Sequence, residues 1–246
     1  RHVLAMNDVR VNPITVDANG LCPPETVEAA PHLIFVTPSH QYPLGAVMSL
    51  ERRQRLLALA RQHGSWIVED DYDSEFRFSG QPIPALQGLV ADAPVVYIGT
   101  FSKTLYPGLR LGYLLSANTA AVSQMRDYRE PWTINAFAAL AGEMILDDRK
   151  YIQATHRWLA AEQTHLFNAL NALPGLRVWR PAANYIFFHC LRDNLDLQKA
   201  LLQHHILIRH CANYPGLNTH YYRVAIKSHT DNQALIAALK QVLPHG

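Results

Sequence analysis

Short apolar runs separated by polar turns set the rhythm of the first half of the chain. Residues 33–37, Leu-Ile-Phe-Val-Thr, read as a short, largely apolar strand, and a Pro/Gly-containing loop follows from 38 to 45. Ser49 is placed to cap a helix whose Leu50, Leu56, Leu57 and Ala60 form an apolar stripe, and Gly64 is placed to end it. Residues 66–69 and 95–99 return as buried strands. Residues 9–16 also read as a strand, with Pro13 standing against it because proline donates no ladder hydrogen bond. Strands alternating with helices predict parallel βαβ units.

The second half has a different texture. It predicts a strand over 111–115, helices over 119–129 and 136–146, and a long helical stretch over 151–173 that Pro174-Gly175 ends. Short strands follow over 177–179, 185–190, 206–209 and 221–226, interleaved with helices over 195–203 and 232–243. Trp158, Leu159, Leu166, Phe167 and Leu170 recur at helical spacing and are expected to pack in a core. These patterns predict an α/β fold: a three-layer, mainly parallel sheet in a large domain, residues 1–155, and a small α+β domain, residues 156–246. No internal repeat or low-complexity segment interrupts them.

Composition narrows the function classes. With 49% hydrophobic and 17% charged residues among 246, the chain is an ordinary globular mixture rather than a disordered one. A net charge of +2 is too small for a nucleic-acid footprint, so no nucleic acid is expected to bind this segment. No apolar run reaches the roughly 18 residues that span a bilayer, so no membrane is expected as a partner. Cys22, Cys190 and Cys211 are odd in number and lack Cys-x-x-Cys spacing, which argues against a disulfide framework and for a reducing, cytoplasmic setting. His204 and His205 are adjacent and cannot both face one ion from a regular helix, so no metal is expected beside His210 and Cys211.

Side chains at the carboxyl ends of parallel strands ring the crevice where ligands bind, so the residues after those strands come first. They are Asp70, Asp71 and Tyr72 after one strand, and Thr100, Ser102 and Lys103 after another. Lysine is scarce, and Lys103 is the first of only Lys103, Lys150, Lys199, Lys227 and Lys240. Desolvation at the mouth of a sheet favours the neutral amine, which can condense with an aldehyde. Alone, such a lysine is as readily a surface loop residue, and Asp71, Asp73 and Glu75 are as readily a solvated turn. Pyridoxal phosphate, however, needs a lysine for its imine, a carboxylate to keep the pyridine nitrogen protonated, and donors for its phosphate. Asp70, Lys103 and Arg110 supply that set, with Thr100 and Ser102 as further phosphate donors and Tyr72 as a donor to the ring oxygen.

At these residues the chain resembles fold-type I pyridoxal-phosphate enzymes of the class I/II aminotransferase group. The stretches Thr37-Pro-Ser-His-Gln-Tyr-Pro-Leu-Gly45, Glu69-Asp-Asp-Tyr-Asp-Ser-Glu-Phe-Arg77 and Gly99-Thr-Phe-Ser-Lys-Thr-Leu105 make residues 1–110 similar to the aminotransferase-like domain of MocR-type transcriptional regulators. From Pro107 onward the closer resemblance is to threonine-phosphate decarboxylase of the cobalamin pathway. It rests on Pro131-Trp-Thr-Ile-Asn-Ala136, Ala183-Asn-Tyr185, Ile206-Leu-Ile-Arg-His-Cys-Ala-Asn-Tyr-Pro-Gly216 and Tyr221-Tyr-Arg-Val-Ala-Ile226. The chain thus looks like a composite whose seam lies near 107–113.

The resemblance implies Lys103 as the imine lysine and proton shuttle, Asp70 as partner of the pyridine nitrogen, Tyr72 as partner of the ring oxygen and Arg110 as a phosphate ligand. It implies Arg223 as the grip on a substrate α-carboxylate and Arg209 as the reach to a substrate phosphate, both suited to a planar guanidinium. It further implies a homodimer, a small anionic amino-acid substrate, phosphorylated ones included, and either transamination or decarboxylation. A non-catalytic effector domain of a MocR-type regulator is the rival. Two departures stand out. Tyr42-Pro-Leu-Gly45 replaces the Asn-Pro-x-Gly of many aminotransferases, leaving His40 or Gln41 to substitute, and the family's amino-terminal third is expected to precede residue 1.

Overall fold

The computed structural model describes residues 7–72, 83–101, 110–130 and 133–243. Its first paired segments are only two residues each: β1 (Val16–Asp17) and β2 (Gly20–Leu21) form a hairpin with Val16 opposite Leu21. The strand expected over 9–16 is thereby cut to its last residue. Residues 9–15 are exposed, among the described residues no strand pairs along them, and Pro13 has no N–H to offer.

The apolar runs of the first half form one sheet. β3 (Leu33–Val36), β4 (Trp66–Asp71), β5 (Val95–Thr100) and β6 (Gly112–Leu115) lie in that order; β3 and β5 each run parallel to β4, and β6 is antiparallel to β5. Helix α1 (Leu50–His63) makes the crossover from β3 to β4, and the expected caps form at both of its ends. The Ser49 side chain accepts from the Arg52 amide, and Gly64 takes the left-handed conformation with φ 63°. The one-turn helix α2 (Leu86–Leu89) carries no side-chain cap and is invisible to the apolar pattern. Val36, Leu56, Leu57, Ala60, Ile67, Leu86 and Val95 pack between α1, α2 and one face of this sheet.

Helices α3 (Thr119–Asp127), α4 (Ala136–Asp147) and α5 (Arg149–Asn171) follow, each started by an Asn or Asp side chain that accepts a backbone amide. The expected domain boundary at 155 falls inside α5. Beyond it β7 (Leu176–Val178), β8 (Tyr185–Cys190), β9 (Arg209–His210) and β10 (Tyr221–Ala225) form a second sheet, ordered β7-β8-β10-β9 and antiparallel throughout. Helices α5, α6 (Leu197–Leu202) and α7 (His229–Val242) pair with it through Leu159, Leu166, Leu170, Ile186, Phe188, Leu197, Val224 and Leu239, all buried.

Two expectations in this half need correction. The strand over 206–209 reduces to Arg209–His210, because His205 turns the chain with φ 58° and the Ile206 amide closes back onto the Leu201 carbonyl. Trp158 is 43% exposed, lying beside the buried Leu159/Leu166/Leu170 stripe rather than in it. Among the described residues, no helix is long and apolar enough to cross a membrane.

The opposite face of the second sheet meets the first half of the chain. Ala183, Tyr185, Phe187 and Cys211 cluster there with Tyr42 and Leu44 from the loop after β3, and with Tyr214. This contact brings the carboxyl ends of β3 and β4 beside β8 and β10.

Candidate active site

β4 ends in three consecutive carboxylates, and strand alternation separates them. Glu69 and Asp71 are buried on the helix side, whereas Asp70 is half-buried on the other face, opposite Ile98. Asp71 accepts a hydrogen bond from the Tyr97 hydroxyl, and burial, followed by that contact, pushes the Tyr97 pKa up. The expectation of a solvated turn is therefore wrong for Asp71, while Asp73 and Glu75 lie outside the described residues.

Glu69 is fully buried. It accepts from the Leu86 and Gln87 amides at 3.1 and 3.2 Å, at the start of α2, and stands 3.6 Å from the fully buried Arg53 guanidinium. Burial pushes the Glu69 pKa up, and the two amides and Arg53 pull against it. Arg53 in turn donates to the carbonyls of Met48, Pro84 and Pro38 at 3.1, 3.1 and 2.9 Å. Pro38 and Met48 bracket the loop that carries Tyr42, so one buried arginine ties that loop to the strand that presents Asp70.

Asp70 lines two adjoining cavities. The larger, about 540 Å³, is walled by Phe35, Thr37, Tyr42, Tyr72, Asn184, Tyr185 and Arg223. The smaller, about 310 Å³, is walled by Ile98, Gly99, Thr100, Arg110, Leu111 and Gly112. In the first, the Tyr72 hydroxyl donates to the His40 carbonyl at 3.1 Å, and the Tyr185 hydroxyl donates to the Pro43 carbonyl at 3.3 Å. Gln41 uses its side chain within the loop, donating to the Tyr42 carbonyl at 2.6 Å and accepting from the Leu44 amide at 3.4 Å. In the second, the Thr100 hydroxyl donates to the Leu111 carbonyl at 3.3 Å, and Arg110 is exposed and left-handed, with φ 54°.

The structure thus brings Asp70, Tyr72 and Arg223 around one cavity and Asp70, Thr100 and Arg110 around the other. Arg209 is exposed and does not line either of them, yet it is the direct cross-strand partner of Arg223 between β9 and β10. Two guanidinium groups opposite one another in a ladder repel, an arrangement that an anion between them relieves. Lys103 and Ser102 lie outside the described residues; Thr100 and Arg110, which flank that segment, both line the smaller cavity.

Sequence reasoning missed several residues. Tyr42 drew notice only as a replacement for asparagine, and Asn184 and Tyr185 only as part of a resembling segment, yet all three line the larger cavity. Arg53 gave no signal, since it sits in the basic run Arg52-Arg53-Gln54-Arg55, a pattern that ordinarily means a solvated face, and Glu69 reads only as the end of a buried strand with no task of its own.

The aminotransferase class I and II family matches residues 7–240. Threonine-phosphate decarboxylase of Salmonella typhimurium is 48% identical over 163 residues, covering 65% of this chain and 44% of that protein. An uncharacterized HTH-type transcriptional regulator of Bacillus subtilis, YhdI, is 50% identical over 115 residues, covering 47% of this chain and 24% of the regulator. The crystal structure of histidinol-phosphate aminotransferase from Clostridium acetobutylicum superposes with a TM-score of 0.76 at 29% identity, covering 87% of this chain and 64% of the other. The chain therefore spans less than half of either curated relative.

Proposed function

From the fact that this chain belongs to the class I and II aminotransferase family, whose cofactor is pyridoxal phosphate, we propose that it holds that cofactor across Asp70 and acts on a small anionic amino acid. The observation that carries the reading is the position of Asp70 between two cavities, with Arg223 in one and Thr100 and Arg110 in the other. The donor set suits the cofactor. A carboxylate would suit a protonated ring nitrogen, a tyrosine hydroxyl would suit the ring oxygen, and a hydroxyl and a guanidinium would suit a phosphate dianion. In this reading Asp70 holds the ring nitrogen, Tyr72 the ring oxygen, Thr100, Ser102 and Arg110 the phosphate, and Lys103 the aldehyde carbon.

When bound, the cofactor supplies a sink for the electron pair of the bond broken at the substrate Cα. The protein's own part is to choose that bond. Arg223 grips the α-carboxylate through charge-assisted hydrogen bonds and so fixes the rotation about Cα. The Lys103 amine would take and return the Cα proton as a general base. Phe35 and the tyrosines Tyr42, Tyr72 and Tyr185 form walls of the larger cavity.

A second reading, decarboxylation of a phosphorylated amino acid, is favoured by one observation: Arg209 stands opposite Arg223, so one anionic group can be met at each guanidinium. A homodimer belongs to the same proposal, supported by Phe137, Leu140 and Met144, which are exposed on one face of α4. So does the division into a cofactor-bearing unit up to residue 155 and a small unit beyond it.

Steady-state assays of the chain loaded with pyridoxal phosphate test the reading. Sustained release of a keto acid or of carbon dioxide from an amino acid supports an enzyme. A spectral change without product supports the effector domain of a regulator, and neither signal contradicts both. Arg223→Ala is expected to weaken amino-acid binding by about 2 kcal/mol or more, at least roughly 30-fold, and unchanged affinity contradicts its carboxylate role.

A further inference from the structure

Among the described residues no carboxylate pairs with Arg223. Aromatic rings hold it instead: the guanidinium carbon lies 4.6 Å from the Tyr42 ring centroid and 5.4 Å from that of Tyr185. A planar guanidinium over a ring face is attracted by the π-cloud and keeps its in-plane N–H donors available for a ligand. Tyr42 is itself fixed. Its ring meets Tyr72 edge-on at 5.8 Å, Tyr185 at 5.8 Å and Tyr214 at 5.1 Å. Burial, and next a hydrogen bond with Tyr214, push the Tyr42 pKa above the usual phenol range, so its hydroxyl stays neutral and does not compete for the arginine's charge.

We propose that Tyr42 is a positioning residue: with Tyr185 it forms a corner of two rings that fixes the Arg223 guanidinium and keeps its donors turned to the cavity for a ligand carboxylate. This rests on the reading of Arg223 as the carboxylate arginine. It gives the position where the resembled enzymes carry asparagine a different task, preparing an arginine rather than touching the cofactor.

The test uses the full chain in two measurements. In the ligand-free protein labelled with nitrogen-15, the Arg223 Nε–Hε signal, assigned by its loss in Arg223→Lys, is expected upfield of ordinary arginines through ring currents. Tyr42→Phe, which keeps the ring, retains the displacement, and Tyr42→Leu loses it. In spectral titrations of the chain loaded with pyridoxal phosphate, Tyr42→Leu is expected to bind L-threonine about 3- to 30-fold more weakly, the range set by cation–π strengths. An Arg223 signal that does not move in Tyr42→Leu, or that moves equally in Tyr42→Phe, overturns the proposal. Should Tyr42→Leu fail to fold, nuclear Overhauser contacts between Arg223 Hε and the Tyr42 ring protons in the wild type decide it, and their absence overturns it. If the signals behave as expected while Arg223→Ala binds L-threonine unchanged, the carboxylate reading fails and the ring corner stands.

Discussion

Arg53→Met removes the group that ties the Tyr42 loop to the Asp70 strand. Methionine keeps the unbranched stem of the side chain and none of its donors. The change strands the fully buried Glu69 carboxylate 3.6 Å from where a cation stood, and it strips hydrogen bonds from the carbonyls of Met48, Pro84 and Pro38. Losing one partner of a buried pair costs about 3–5 kcal/mol. The carbonyls add about 0.5–1.5 kcal/mol each, less what the pair term already counts. A total of about 4–6 kcal/mol, at about 2–4 °C per kcal/mol for a domain of this size, lowers the thermal midpoint by about 8–24 °C. Circular dichroism melts read this directly.

The sign with pH follows from Glu69. Its folded pKa is raised, so the neutral form is favoured in the folded chain, and the penalty of an unpaired carboxylate is absent below its ordinary value of 4.5 and grows as pH rises above it. The gap between wild type and Arg53→Met therefore narrows in acid. Adding Glu69→Gln to Arg53→Met removes the stranded charge and is expected to recover part of the loss at neutral pH. A midpoint within about 2 °C of wild type, or a double variant worse than the sum of the singles, refutes the reasoning.

Glu162 on α5 accepts from Asn232 on α7 at 2.8 Å and contacts His229 of the same helix at 3.0 Å, with His165 beside it on α5. The Asn232 hydrogen bond first, then His229, lowers its pKa, so its contribution to stability is present above the ordinary 4.5 and lost as pH falls through the lower folded value. The midpoint difference between wild type and Glu162→Gln is thus expected to shrink between about pH 6 and about pH 3, and a difference that grows in acid contradicts it. Ser49→Ala removes the cap of α1 and is expected to cost about 1 kcal/mol in urea unfolding with an unchanged m-value. Gly20→Ala places a methyl 2.7 Å from the Met48 Cα at φ 86°, so a loss of about 1–3 kcal/mol is expected.

The strands that hold the site were legible because their signal is local. Residues 66–68 and 95–98 are short apolar runs, and buried parallel strands look like that from sequence. The same local reading failed where pairing decides. Residues 9–15 have strand character, yet among the described residues they pair in no strand ladder, and Ile206 is recruited to close the end of α6 instead of joining β9. At the site, Asp70, Tyr72 and Thr100 follow from their place at strand ends, and Arg110 follows from the need for a phosphate donor beside them. Arg53 escapes because its meaning is entirely tertiary: three carbonyls and a carboxylate distant in sequence converge on it. Tyr42 and Tyr185 escape likewise, since only the contact between the loop after β3 and β8 turns two ordinary tyrosines into a bed for Arg223.

The central claim is that pyridoxal phosphate is held between Asp70 and Lys103. Adding it to the purified chain, reducing with borohydride and mapping the labelled peptide tests this most directly. The account predicts a single label at Lys103 that falls sharply in Asp70→Asn. Absence of label at Lys103, or label spread evenly over Lys103, Lys150, Lys199, Lys227 and Lys240, contradicts it.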